Sequence, residues 1–192
     1  EVDIIFKVYS TNEIIKNKER IFNNINLPDI YYLPEFLKLS ELAGEGKGRM
    51  AVYKNDNDFW IYPFMERNIS EDLDFVNNDY DGKDIFSPYG YNGPLNLNDS
   101  NSGNSYNLFE TKLREKYFKN NNIVSAFIRF HPLLNTANNY SNKKLDKTGK
   151  VVYFDLSKSK EKLKEGLDNS TKRNIKKAKR NDVNLNFDFK LE

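Results

Sequence analysis

Cysteine is absent from this chain of 192 residues, and histidine occurs only once, at His131. The absence of cysteine excludes disulfide bonds, thiolate nucleophiles and cysteine-ligated metals. A single histidine excludes zinc sites built on a histidine pair. No spacing of Asp and Glu matches a carboxylate metal site, so we expect neither a metal nor another bound cofactor.

Long apolar runs are also missing. No stretch of about eighteen apolar residues occurs, and the first residues lack the basic-then-apolar order of a signal peptide. The sequence therefore predicts no membrane-spanning helix. Together with the lack of cysteine, this favours a cytoplasmic protein.

Charge is unevenly distributed along the chain, although the formal net charge is only +2. Residues 158–180 contain ten Lys and Arg against three Asp and Glu. Six of these cations lie in the segment Ser170–Arg180, where Ile175 and Ala178 form a small apolar edge. A helix that begins near Ser170 would direct free backbone N–H groups and these cations at one place, which suits phosphate. A basic helix face that is simply solvated is the plainer alternative.

The hydrophobic pattern predicts strands interleaved with helices. In the predicted helix Pro34–Gly44, we expect Phe36, Leu39 and Ala43 on one side. Hairpins occur among crossovers, which favours an α+β fold with a mixed, mostly antiparallel sheet and helices on its faces. The predicted strands are Val2–Val8, Arg49–Lys54, Phe59–Met65, Asp84–Phe86, Ile123–Phe130, Val151–Leu156 and Val183–Phe189. The other predicted helices are Glu13–Ile25, one with Tyr106, Phe109, Leu113 and Tyr117 on one face, one capped by Ser157, and the basic helix.

The loop Ser87–Pro94 is a candidate binding element. Two glycines and two prolines shape it, and it holds Tyr89 and Tyr91 at the end of a strand, where sites often lie. A purely structural loop is an equally good interpretation.

The predicted strand that ends at His131 carries a second candidate group. Alternation along the strand places Arg129 and His131 on the same face, and Pro132 ends the strand. His131 is a candidate general base, although a single histidine at a strand end is more often structural.

Three segments together resemble the FemABX family: Ser87–Pro94, Arg129–Leu134 and Ser170–Ala178 occur in the order and rough spacing of that family. The resemblance implies a GNAT-like acyltransferase fold and the transfer of amino acids from aminoacyl-tRNA, or of acyl groups from acyl-CoA, to a cell-surface glycan precursor such as peptidoglycan. It covers about the first half of the family's usual length. We therefore expect one GNAT-like lobe over residues 1–190, with a second lobe of the same chain as its partner and vector-derived residues at 191–192.

The resemblance also implies substrate-binding residues but names no catalytic residue. A nucleotide- or lipid-linked glycan-peptide precursor carries a diphosphate, which Arg173, Lys176 and Lys177 would hold. Arg129, beside His131, would anchor a peptide carboxylate. Tyr89 or Tyr91 would pack against sugar.

Two other functions remain open at this point. A non-catalytic lobe that docks a partner domain predicts an exposed apolar face. An RNA-binding module predicts steep salt dependence of binding. Against the second alternative, aromatic residues are not interleaved with the basic segment.

Overall fold

The computed structural model describes residues 5–23, 25–72, 79–98, 103–140, 145–147 and 149–185. The chain divides into two compact units, Glu1–Asp146 and Lys147–Glu192, and each is described by itself. The organisation of residues 1–190 as a single lobe stays a prediction.

The first unit alternates strands and helices along the chain. Its elements are β1 (Ile5–Ser10), α1 (Thr11–Lys16), α2 (Lys18–Phe22), α3 (Pro34–Leu42), β2 (Lys47–Lys54), β3 (Phe59–Asn68), α4 (Ile69–Asp72), β4 (Lys83–Phe86), β5 (Leu95–Asn96), α5 (Gly103–Leu113) and β6 (Ile123–Phe127). Helix α5 continues through a π-helical turn, Arg114–Phe118, and a 3-10 turn, Lys119–Asn121. Two further 3-10 turns cover Ile30–Tyr32 and Thr136–Tyr140.

The strands form one sheet in the order β1-β2-β3-β4-β6, with β5 paired to β3. All pairs are antiparallel except β4 and β6, which are parallel. A parallel pair requires a crossover connection, and α5 lies within it. The predicted α+β class with a mixed, mostly antiparallel sheet is therefore confirmed.

The central strands β2 and β3 are buried on both faces, which explains their nearly continuous apolar sequence. One face packs Met50, Val52 and Ile61 against Ile14 of α1 and Leu37 of α3. The opposite face packs against α5. The members of this second cluster are Ala51, Tyr53, Trp60, Tyr62, Phe64, Ile85, Tyr106, Phe109 and Leu113.

The first helical region begins earlier than predicted and is broken. Ser10 and Glu13 form a reciprocal capping box at the start of α1. The hydrogen bonds from the Ser10 backbone and side chain lower the pKa of Glu13 to about 2. The chain interrupts the helix at Asn17, so the predicted helix Glu13–Ile25 is two short helices.

The buried face of α3 differs from the prediction. Leu37 and Ser40 are buried, whereas Leu39 is 60% exposed and Ala43 is exposed. The reason is the side chain of Glu41, whose Oε1 accepts hydrogen bonds from the Thr11 hydroxyl at 3.0 Å and from the Gly48 N–H at 2.9 Å. These bonds turn the Leu37 and Ser40 side of the helix towards the sheet.

The second unit contains the helices α6 (Lys160–Glu165) and α7 (Asn169–Arg180). Ser159, not the predicted Ser157, caps α6, because the Ser157 hydroxyl donates instead to Asp155 at 2.6 Å. The predicted strand Val151–Leu156 is wrong: these residues belong to no strand, and Val152 is 89% exposed.

Three other predicted strands differ from the structure or extend beyond the described residues. Of Val183–Phe189, residues 183–185 are not in a strand and residues 186–189 lie outside the described residues. Residues 2–4 of the first predicted strand also lie outside them. Strand β6 ends at Phe127, and Phe130 forms an isolated bridge with Asn92.

Within the described part of the chain, no helix has the length and apolar character required to cross a bilayer.

Candidate functional site

Two candidate segments meet at one end of the sheet. The loop 87–94 follows β4, and residues 129–131 follow β6. Because β4 and β6 are parallel, their carboxyl ends lie at the same edge, a position where ligands often bind. The predicted residues Tyr89, Tyr91, Arg129 and His131 all belong to this region, which we call the loop site.

Asn92 holds the loop site together. Its Nδ2 donates to the carbonyl oxygen of Pro63 on β3 at 2.6 Å, and its Oδ1 accepts a hydrogen bond from the Ser87 hydroxyl. Its backbone N–H donates to the Arg129 carbonyl at 2.8 Å, and its own carbonyl accepts the His131 N–H at 3.0 Å. The side chain and backbone of one fully buried residue therefore connect the loop to β3 and to the segment after β6.

Both ring nitrogens of His131 have partners inside the protein. Nδ1 accepts the backbone N–H groups of Leu133 and Leu134 at 3.1 and 3.2 Å, and Nε2 lies 3.2 Å from Oδ2 of Asp29. Because Nδ1 accepts two hydrogen bonds, this network assigns the ring proton to Nε2. The side chain is 5% exposed. The buried ring therefore supports the loop site from the protein interior. Direct contact of His131 with a substrate stays a prediction.

Aromatic rings pack next to His131 at the loop site. The ring centroid of Tyr91 lies 5.9 Å from that of Tyr31 and 5.9 Å from that of His131. Gly90 has a φ of +107°, and a Cβ at this position would overlap the Tyr31 ring. Tyr89 is different, since it is 77% exposed and its backbone N–H donates to Oε2 of Glu45 at 3.1 Å.

Arg129 is the exposed cation of the loop site. Its backbone N–H donates to the Ser87 hydroxyl at 2.7 Å, which fixes the position of the main chain. Its guanidinium donates to the Gly90 carbonyl at 3.3 Å and is otherwise directed to solvent. A guanidinium has five N–H donors, so this geometry leaves donors available for a carboxylate or phosphate.

A cleft of about 320 Å³ lies beside the loop site. Glu45 lines it and also holds the Tyr89 backbone, which connects the two features. The other lining residues are Gly44, Gly46, Lys47, Glu66, Arg67, Asn68 and Glu71. Both acidic and basic side chains are present, so the lining alone does not select an anion.

At the base of this cleft, Glu66 is the centre of a buried polar cluster. The Tyr117 hydroxyl donates to Oε2 of Glu66 at 2.5 Å, and Arg49 reaches Oε1 at 3.3 Å. Lys83 lies 3.9 Å from the same oxygen. Burial and the neighbouring Glu66 carboxylate raise the pKa of Tyr117. These contacts give each of the charged and polar groups a partner within the cluster, so a structural role is enough to explain it.

The remaining predicted residues, Arg173, Lys176 and Lys177, are exposed on α7 in the second unit. The expectation of free backbone N–H groups at the start of this helix is wrong. Oδ1 of Asp168 accepts the N–H groups of Ser170 and Thr171 at 2.7 and 2.9 Å. These bonds lower the pKa of Asp168, and they leave phosphate binding on α7 to the side chains alone.

Sequence reasoning missed Asp29, Ser87, Asn92 and Glu45. Asp29 precedes a 3-10 turn, which it caps through the Tyr31 N–H, and this local pattern was a usable signal. The contacts of Asn92 and Glu45 depend on the sheet order and carry no local signal.

No group of three or more His, Asp and Glu suited to a metal ion occurs among the described residues. Comparison of the chain with protein-family models, with curated proteins and with solved structures found no match.

Proposed function

We propose that this chain is a GNAT-like lobe of an acyl- or aminoacyltransferase related to the FemABX family. Its acceptor is a nucleotide- or lipid-linked glycan-peptide precursor, such as a cytoplasmic peptidoglycan precursor. The mixed, mostly antiparallel sheet with helices against both faces supports the proposed fold.

The observation that carries the proposal is that Arg129 and Tyr89 both follow the carboxyl ends of the parallel strands β4 and β6. Both side chains are exposed at the loop site, and the buried residues Asn92 and His131 hold this site in place through their hydrogen bonds. A guanidinium binds carboxylates in a bidentate manner, and an exposed aromatic ring offers an apolar surface with a polar tip. This combination suits a ligand that joins a sugar to an acidic peptide.

The chemistry of the proposed reaction requires little from the protein beyond position. The acceptor amine attacks the activated ester carbon of the donor, the C–N bond forms, the C–O bond to the donor breaks, and the amine proton passes to the leaving oxygen. Positioning of the amine and stabilisation of the oxyanion supply most of the rate. A wall without a free histidine base is compatible with this reaction.

The test is calorimetric titration of the chain with UDP-N-acetylmuramyl pentapeptide. We expect saturable binding, weakened about tenfold to a hundredfold by Arg129→Gln, because a charge-assisted hydrogen bond is lost. Arg114→Gln is the matched control, since the Arg114 side chain is 57% exposed in the π-helical turn after α5 and pairs with Glu110. Absence of binding, or equal weakening by both variants, would contradict the proposal.

A second titration examines the basic helix separately. If Arg173, Lys176 and Lys177 hold the diphosphate, Arg173→Ala combined with Lys176→Ala weakens binding of the UDP-linked peptide. The same double variant then leaves binding of a muramyl peptide without nucleotide unchanged. Equal affinity of the variant and the original chain for the UDP-linked peptide would remove α7 from the acceptor site.

A non-catalytic docking lobe is the second candidate, and one observation favours it. Strand β6 ends the sheet order, and Val124 and Phe127 on it are 58% and 62% exposed. Exposed apolar side chains on a terminal strand are typical of an interaction surface. If no muramyl ligand binds while Phe127→Ser abolishes association with a second domain, this candidate replaces the transferase lobe.

A further inference from the structure

The segment Val151–Leu156 places apolar side chains in solvent. Val152 is 89% exposed, Leu156 is 82% exposed, and Tyr153 and Phe154 are 62% and 58% exposed. Single exposed apolar residues are common on protein surfaces, but four within five consecutive positions are not. Such a cluster is typical of an interaction surface.

The residues that follow carry a strong positive charge. Between residues 158 and 180, ten Lys and Arg stand against three Asp and Glu. Of the acidic residues, Asp168 is occupied at the α7 cap. With 3.6 residues per helical turn, all six cations of α7 fall within less than half of its circumference, opposite Ile175 and Ala178.

The structure shows which of these cations have local partners. Lys172 donates to the Glu165 carbonyl at 3.0 Å and thereby connects α7 to α6. Lys158 lies 3.6 Å from Asp155. Lys179 and Arg180 are exposed in the last turn of α7, so a charged surface remains available for an anionic partner.

We propose that the second unit binds the surface of an anionic lipid bilayer, with residues 151–156 in the interfacial region and the cations of 158–180 at the headgroups. Tyr and Phe are suited to the boundary between apolar chains and water. Stable attachment of a peripheral protein needs two signals, and an apolar segment next to a polybasic one supplies both. The proposal does not rest on the proposed function.

An anionic bilayer accounts for more of the observations than a nucleic acid does. Phosphate backbones would satisfy the cations, and bases would stack on Tyr153 or Phe154. The aliphatic side chains of Val152 and Leu156 would still have no partner. Lipid acyl chains cover aliphatic and aromatic side chains alike.

The experiment is co-sedimentation of the chain with vesicles. One set contains phosphatidylcholine alone and the other an equimolar mixture of phosphatidylglycerol and phosphatidylcholine. We expect binding to the anionic set and little binding to the neutral one. In addition, Phe154→Trp adds an indole whose emission shifts to the blue on anionic vesicles, whereas Trp60 is buried and stays constant.

Two double variants separate the two signals. Lys179→Gln with Arg180→Gln reduces partitioning more than tenfold, at about fivefold per cation near the surface. Val152→Ser with Leu156→Ser reduces it about tenfold, and this loss persists at high salt because it is not electrostatic. Leu39→Ser with Leu42→Ser is the control, since these side chains are 60% and 76% exposed on α3 of the first unit, and partitioning stays unchanged.

Several results would overturn the proposal. One is equal sedimentation with neutral and anionic vesicles, and another is no sedimentation with either. A third is full vesicle binding by the Val152→Ser/Leu156→Ser variant together with tight, salt-sensitive binding of single-stranded RNA by that variant and by the original chain. That last pattern would show that the unit binds a nucleic acid.

Discussion

His131 and Asp29 are in polar contact across 102 positions of sequence, with Nε2 of the histidine 3.2 Å from Oδ2 of the aspartate. The other oxygen of Asp29 accepts the Tyr31 N–H at 3.0 Å and begins the turn Ile30–Tyr32. One carboxylate therefore fixes both a helical turn near α3 and the histidine behind the loop site.

Replacement of His131 by alanine is expected to lower the free energy of unfolding by about 2–4 kcal/mol. The change leaves the N–H groups of Leu133 and Leu134 without their acceptor and opens a cavity. Urea denaturation measures the loss. His131→Asn retains an acceptor near the position of Nδ1 and should lose about half as much; equal losses would show that the backbone bonds contribute nothing.

The Glu66 cluster should contribute far more to the free energy of unfolding than a surface ion pair does. Glu66→Gln removes the charge that faces Arg49 and Lys83, and we expect a loss of about 2–3 kcal/mol in the free energy of unfolding. Glu35→Gln breaks the exposed contact with Lys18 and should cost less than about 1 kcal/mol. Denaturation of both variants under one condition gives the comparison, and similar losses would argue against a buried network.

At alkaline pH, the ionisation of tyrosines that are buried in the fold should destabilise the protein. Burial raises the pKa of Tyr32, Tyr62, Tyr106 and Tyr117, and it raises that of Tyr140 to about 12. A raised folded-state pKa stabilises the fold below the unfolded-state value of about 10, and this stability is lost as the pH rises towards the folded-state value.

The stability between pH 10 and pH 12 should therefore fall by about 1.4 kcal/mol per pH unit for each such tyrosine. Tyr140→Phe removes one titrating group and should reduce this slope by about that amount. Urea denaturation at several alkaline pH values measures the slope, and tyrosinate absorbance identifies the ionisation. An unchanged slope in the variant would show that Tyr140 titrates alike in both states.

A side chain at Gly90 should destabilise the fold. Gly90→Ala places a methyl group against the Tyr31 ring at a φ of +107°, and we expect a loss of about 2–3 kcal/mol together with weaker ligand binding at the loop site. Gly44→Ala is the matched control, because its φ is +80° but no atom lies within 4 Å of the added methyl group. This control should lose only about 1 kcal/mol, and a larger loss than for Gly90→Ala would contradict the steric argument.

Much of the fold could be predicted because its signals are local. The hairpin of β2 and β3 follows from two apolar segments around a polar turn, and α3 follows from Pro34 at its first turn and Gly44 after its end. The buried side of α3 could not be predicted, since leucines occur around its circumference. The contact of Glu41 with Thr11 and Gly48, which orients the helix, joins distant parts of the chain.

The same limit applies to the loop site and to residues 151–156. Period-two alternation placed Arg129 and His131 on one face, yet Arg129 is exposed and His131 is buried, because the regular strand ends at Phe127. The sequence Val151–Leu156 has the composition of a strand, but a strand exists only where a neighbour accepts its hydrogen bonds. Local propensity contains no information on that neighbour.

The parallel pairing of β4 with β6 also has a consequence for synthesis on the ribosome. Among the described strands, β1, β2 and β3 pair only with one another and with strands before residue 97, so their antiparallel pairs can form once residues 5–68 have emerged. The loop site cannot close until Asn92, His131 and Thr136 are all outside the exit tunnel. A nascent chain that stalls before this point presents an unpaired edge at β4, and an unpaired strand edge is a site where chains associate incorrectly.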